Sequence, residues 1–365
     1  MKKFFISFIL IVSLLFNVFA DNKQAHKELR EVFENWDKLP IMVEKGFDLD
    51  KLDKIDDWKE MRDYLQLFFM DEKGYPLDQH SPIHFYDNKG NYGYVRTQCQ
   101  MYIDWTDEYG SKKELLKKGF KEDEIFYYPY FNGEWRDGYR VGKKFRCDHS
   151  GSDSGYGNDS DIVSTKKSLF VQISSFNKVP LNLDVISKSS KKYLILDFSA
   201  NGGGIEYNYQ LLVDAIKKMK PKEIFIFIDY RTYSMGERAA YFLKKDSSIK
   251  TTLIGYPTRG GYTGRSLNGG SQIKFDNFTI DIDLSGNGSK LSPELIEGVG
   301  LTPDYYTSNN YESIEIVKHL TNDEDLCLPK PYMDKINYCI NKDFKKWQTW
   351  TFDEHEHQKA KFYYE

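Results

Sequence analysis

The sequence predicts an α/β fold, with a mostly parallel sheet and crossover helices in its second half, and three observations predict it. Short apolar runs alternate with stretches of helical period after Lys166, the order expected of β-α units. The runs are continuous, as in Ile224-Phe-Ile-Phe-Ile228, which suits strands buried on both faces. Two of them end in loops rich in glycine and serine, at the carboxyl ends where such sheets collect ligands.

In chain order, Met1-Lys-Lys followed by an apolar stretch from Phe4 to Phe19 and a small-residue pattern, Val18-Phe-Ala20, reads as a secretory signal peptide over 1–20. The stretch falls short of the roughly 20 residues of a spanning helix. A soluble mature chain from Asp21, without membrane insertion or a lipid anchor on a cysteine, is therefore expected outside the cytoplasm. Residues 21–165 form an accessory region. From Lys23 to Phe69 apolar residues such as Leu29, Val32, Phe33 and Trp36 fall at helical spacing, predicting a small helical cap. Between Tyr86 and Phe145 the chain is rich in tyrosine and turns, with Asn132-Gly133 and Asp137-Gly138 as hairpin signals, so a β region is expected. His149 to Asp161 is a Gly/Ser/Asp loop. The core, 166–320, is expected to run strand Leu169–Ser174, strand Tyr193–Phe198, helix Tyr209–Met219, strand Glu223–Asp229, helix Glu237–Lys244 and strand Thr252–Gly255. A further β segment, Ser271 to Leu284, and a polar tail, 321–365, follow.

A formal net charge of −4 argues against nucleic acid, which needs a concentrated basic face. Four cysteines, Cys99, Cys147, Cys327 and Cys339, suit disulfides in an oxidising compartment. Proximity in sequence favours Cys99 with Cys147 and Cys327 with Cys339 among three pairings, and buried free thiols are the alternative. Asn158, Asn277 and Asn287 lie in N-x-S/T sequons.

The loop Ser199-Ala-Asn-Gly-Gly-Gly204 and the segment Arg231-Thr-Tyr-Ser-Met-Gly-Glu237 hold what acyl chemistry needs: backbone N–H groups and a serine at a strand-to-helix turn. Ser234-Met-Gly-Glu237 also fits a capping box, a reading compatible with a nucleophile, and Glu237 is taken as structural. Tyr207 stands where a dinucleotide loop has its third glycine, so no nucleotide is implied. A serine needs a base. Of seven histidines, His80, in a short polar loop, is a candidate with His84 and His149 as competitors, and position alone does not choose among them. Neither H-E-x-x-H nor zinc-like Cys/His spacing occurs, and His355-Glu-His357 lies in a charged tail. No cofactor or metal is expected.

Leu194-Ile-Leu-Asp-Phe-Ser-Ala-Asn-Gly-Gly-Gly204, Tyr233-Ser-Met-Gly-Glu237, Leu253-Ile-Gly-Tyr-Pro-Thr-Arg-Gly-Gly261 and Glu297-Gly-Val-Gly-Leu-Thr-Pro-Asp304, in that order, resemble the strand, nucleophile and E-x-x-G-V-x-P-D segments of the S41 serine peptidases. That family includes the C-terminal processing proteases and tricorn-like core peptidases. The resemblance implies a ClpP/crotonase-like core, Ser234 as nucleophile, and an oxyanion hole from the N–H groups of Gly202 or Gly203 and of Met235. The lysine of processing proteases is replaced by Gly261. The tricorn-like arrangement instead implies His80, in Leu77-Asp-Gln-His80, as general base and Glu297 as orienting carboxylate. Gln79 stands where tricorn has a serine, Ser199 where the family has arginine, and Tyr256 where it has glutamate. The accessory region carries no PDZ signature.

The leading expectation is thus a secreted serine peptidase acting on peptides or unfolded protein through an acyl-enzyme. A degenerate member that binds peptides without cleaving them is the alternative. An esterase ranks last, because Thr232 occupies the first glycine position of a G-x-S-x-G elbow.

Overall fold

The computed structural model describes residues 22–69, 77–78, 80–81, 83–95, 101–146, 162–180, 182–262, 271–284, 295 and 299–328. The signal-peptide stretch, the 149–161 loop, Cys99, Cys147, Cys339, Asn158, Asn287 and the tail from 329 lie outside these residues. Cys327 is disulfide-bonded. Among the described residues no helix is long and apolar enough to cross a membrane. The chain is α/β and divides into two compact units: Met1–Cys99, Asp148–Gly151 and Gly261–Gly298, and Gln100–Cys147, Ser152–Gly260 and Val299–Glu365. The division is not the linear one the sequence suggested, because the 261–298 segment pairs with the N-terminal unit.

In the first unit, helices α1 (22–34), α2 (Leu39–Glu44), α3 (Leu49–Leu52) and α4 (Trp58–Gln66) precede strands β1 (Ile83–Asp87) and β2 (Tyr92–Val95). Asp48 and Asp57 cap α3 and α4 through their side chains, as short acceptors at N-caps do. The four-stranded antiparallel sheet is completed by β13 (Ser271–Lys274) and β14 (Phe278–Ile282), in the order β13-β14-β1-β2. Register explains the pairing. Ile83 and Phe85 lie opposite Ile282 and Ile280, and these alternate residues join Leu29, Phe33, Leu52 and Met61 in one buried core. Period-2 alternation leaves His84 and Tyr86 on the other face. Phe85 lies opposite Gly93, where a Cβ would sit 2.4 Å from the Trp58 ring. We expect Gly93→Ala to destabilise this unit by about 1–3 kcal/mol, the usual effect of overpacking, read as a lower midpoint in thermal unfolding.

In the second unit, β3 (Met101–Gly110), α5 (Lys112–Lys117), β4 (Ile125–Tyr127), the β5–β6 hairpin (Tyr130–Phe131, Glu134–Trp135) and β7 (Tyr139–Arg146) make the β region. The central sheet follows: β8 (Ile162–Ser164), β9 (Ser168–Gln172), β10 (Tyr193–Asp197), β11 (Glu223–Ile228), β12 (Lys250–Gly255) and β15 (Tyr305–Tyr306). Its order, β15-β12-β11-β10-β9-β8, steps through the chain without reversal. All neighbours are parallel except β8. The crossovers are α6 (Leu183–Lys188), α7 (Glu206–Met219) and α8 (Met235–Lys245), and α9 (Asn310–Thr321) follows β15. Leu194, Leu196, Ile224 and Ile226 pack against α7 and α8, whereas Ile195, Phe225, Phe227 and Ile254 pack against α9. Two buried faces explain why these strands read as unbroken apolar runs.

The expected β region around Tyr86–Phe145 is therefore split. β1 and β2 belong to the helical unit, while β3, β4 and β7 form a separate three-stranded sheet over an aromatic cluster of Phe126, Tyr128, Phe131 and Tyr306. Burial pushes the Tyr306 phenol up to about 12, with a Thr302 hydrogen bond pulling the other way. An unfolded tyrosine titrates near about 10. Between those values the unfolded chain gives up this proton and the native chain keeps it, so stability falls as pH rises. We expect Tyr306→Phe to flatten that alkaline loss, by at most about 1.4 kcal/mol per pH unit, in denaturant titrations on either side of pH ~10.

Candidate active site

The site is built from two adjacent parallel strands. Asp197 of β10 lies beside Phe227 of β11, so the turns that leave their carboxyl ends start side by side. Asp229 joins these turns: its Oδ1 accepts from the N–H groups of Ala200 (3.0 Å), Arg231 (2.8 Å) and Thr232 (3.1 Å). Its Oδ2 takes a paired contact from Arg231 Nε and Nη2 at 2.9 and 2.7 Å. The Thr232 hydroxyl donates to Phe198 O (2.9 Å) and accepts from Asp229 N–H (2.9 Å). Position 232 thus uses a hydroxyl as a bridge where an esterase elbow has glycine, and the turn stays tight without that residue.

Ser234 begins α8 with φ 55° and ψ −123°, a conformation that costs a non-glycine residue on the order of 1–3 kcal/mol. Only the glutamate half of the Ser234–Glu237 capping box forms: Glu237 Oε2 accepts from the Ser234 N–H at 3.2 Å, while the Ser234 side chain makes no capping hydrogen bond. Glu237 is fully buried, and its Oε1 also accepts from the Gly260 N–H. The carboxylate therefore fastens the start of α8 to the loop after β12. That loop is fixed further by the Arg259 guanidinium 5.1 Å from the Tyr233 ring centroid and by Thr258 Oγ1 accepting from Leu301 N–H at 2.7 Å.

The glycine turn lies directly against the serine. A Cβ on Gly203 would fall 2.6 Å from Ser234 Cβ and 2.8 Å from Met235 N. The structure therefore brings Gly202, Gly203, Ser234 and Met235 together. It also distinguishes the two glycines, because Gly203 donates its N–H to Asn201 Oδ1 at 2.9 Å. Among the described residues the N–H groups of Gly202 and Met235 have no acceptor. A partly exposed serine beside two open N–H groups at a helix N-terminus can attack a carbonyl and stabilise the oxyanion that forms.

His80 lies in the other unit. It is buried, and its N–H donates to Oδ1 of the buried Asp78 at 2.8 Å. His84 is on the outward face of β1, its Nδ1 2.7 Å from the phenolic Oη of Tyr92 and its ring stacked on the Tyr92 ring. Glu297 and His149 lie outside the described residues. Among the described residues no three His, Cys, Asp or Glu side chains are grouped to hold a metal. Reading the sequence missed Asp229, Thr232 and Arg259. The Asp-x-x-Thr spacing of a turn was the one local signal for Asp229 and Thr232.

No family model matches the chain, and no curated protein matches it. Solved structures with which it aligns include the tricorn protease, at 18% identity over 39% of this chain and 15% of that one, TM-score 0.32. A second is the photosystem II D1 C-terminal processing protease, at 13% identity over 78% of this chain and 92% of that one, TM-score 0.39. A third is a protein from Bacteroides fragilis classed with the S41 proteases, at 14% identity over 62% and 74%, TM-score 0.32. The chain spans 15% of the tricorn protease's length.

Proposed function

We propose that the protein is a serine peptidase that hydrolyses peptide bonds in peptides or unfolded protein through an acyl-enzyme on Ser234. The observation that carries this reading is the backbone of Ser234, held at positive φ beside the open N–H groups of Gly202 and Met235. Backbone strain that persists at a strand-to-helix turn accompanies presented nucleophiles. The resemblance of the sequence assigns His80 the role of general base, which takes the serine proton and returns it to the leaving amine, and Glu297 that of the orienting carboxylate. Gly202 and Met235 N–H groups bind the oxyanion, and water then releases the acyl group. The half-cystine at Cys327 and the N-terminal apolar stretch support an extracytoplasmic location.

Intact-mass analysis after a fluorophosphonate probe tests the reading. One adduct mapping to Ser234 in the wild type, and its loss in His80→Ala, is the expected result. A folded wild-type chain that takes no adduct overturns it in favour of a peptide-binding protein without catalysis. An adduct that survives in His80→Ala at the wild-type rate removes His80 as the base.

A further inference from the structure

We propose that Asn201 is a positioning residue that selects which glycine N–H serves the oxyanion, a role that deepens the serine-peptidase reading and rests on it. Asn201 is fully buried and every polar group it owns is engaged. Its N–H donates to Phe198 O at 2.8 Å, and its carbonyl accepts from the Tyr233 N–H at 2.8 Å. Its Nδ2 donates to Ile173 O at 2.8 Å, and its Oδ1 accepts from the Gly203 N–H at 2.9 Å. The side chain therefore spans from the end of β9 to the glycine turn. The backbone of the same residue holds the peptide next to Ser234. Gly236, in the first turn of α8, lies so close that a Cβ there would be 2.7 Å from Asn201 O.

The chemistry requires an amide. One planar head must donate to a carbonyl on one side and accept from an N–H on the other, and rotating it by half a turn would set donor against donor and acceptor against acceptor. With the Gly203 N–H turned inward to Oδ1, the N–H of Gly202 is the glycine donor left without an acceptor among the described residues. Releasing Gly203 would let that peptide reorient, and the open donor would move from where the oxyanion forms. An oxyanion donor contributes about 10²–10³ in kcat, and its loss acts on the reaction step rather than on substrate binding.

The test uses the full mature chain, fluorophosphonate labelling of Ser234 and turnover of dye-labelled casein, with folding checked by circular dichroism. Asn201→Ala is expected to lower both the labelling rate and kcat by about 10²-fold while KM changes little. Asn201→Asp supplies a second readout. Its ionised form cannot donate to Ile173 O, whereas its protonated form restores the donor and acceptor pair. Its activity relative to wild type should therefore rise as pH falls from about 8 to about 6, because burial favours the neutral acid. Should Asn201→Ala fail to fold, the pH profile of Asn201→Asp carries the test alone. A folded Asn201→Ala labelled at the wild-type rate, or a flat Asp-to-wild-type ratio, overturns the positioning role and leaves the nucleophile reading intact. Absence of label on Ser234 in the wild type removes that underlying reading instead.

Discussion

Ser234→Ala is expected to yield a folded chain that takes no fluorophosphonate and loses turnover by a factor on the order of 10⁴ or more. Fold retention is expected because the hydroxyl contributes little to packing. Ser234 N–H still reaches Glu237 Oε2, and Glu237 still holds Gly260. Alanine keeps the same positive φ and hence the same backbone strain. Ser234→Gly removes both nucleophile and strain. Relief of about 1–3 kcal/mol is offset by the greater freedom of glycine in the unfolded chain, about 0.5–1 kcal/mol. The glycine variant should therefore melt higher than the alanine variant while both are inactive. That pattern is the signature of a residue kept for chemistry at a cost in stability. Wild-type hydrolysis by Ser234→Ala would overturn the nucleophile. A glycine variant that melts lower than the alanine variant would show that the turn stores no strain.

How far the sequence revealed this arrangement depended on the kind of physics that fixes each part. The strands β9 to β12 were legible because burial on both faces writes an uninterrupted apolar run, and their ends differ from expectation by a residue or two. α7 begins at Glu206, three residues before the expected Tyr209, since Ile205 and Tyr207 are exposed and carry no periodic signal. The hairpin β13–β14 was legible as β but not as a partner of β1. Pairing over nearly two hundred residues is decided by matched faces, Phe85 against Ile280, and local pattern does not record which faces meet. The serine and glycines were legible as a set. Asp229 and Thr232 were not, because each looks like an ordinary turn residue until the turn is seen to hold its neighbour. The distinction between Gly202 and Gly203 was likewise out of reach, since it depends on where a single amide side chain points.

Gly203→Ala should be the most damaging substitution that leaves every reacting group in place. Its φ is 92°, unfavourable for any Cβ, and the added carbon would meet Ser234 Cβ at 2.6 Å, Met235 N at 2.8 Å and Tyr233 O at 2.9 Å. None of these is the free end of a flexible side chain, so the glycine turn or the start of α8 must move. Overpacking alone costs about 1–3 kcal/mol, and a displacement of about 1 Å between nucleophile and oxyanion donors lowers turnover on the order of 10²-fold. Gly119→Ala separates the two causes. Gly119 has nearly the same φ, 94°, but nothing within 4 Å of its would-be Cβ, and it follows α5 rather than either strand-end turn of the site. It should lose stability through backbone strain and keep full activity. Equal activity in the two alanine variants would mean that the contact between Gly203 and Ser234 is not part of the reacting geometry. A large loss confined to Gly203→Ala would mean that the close approach of the two turns, which only glycine permits, is what makes Ser234 a nucleophile rather than a helix cap.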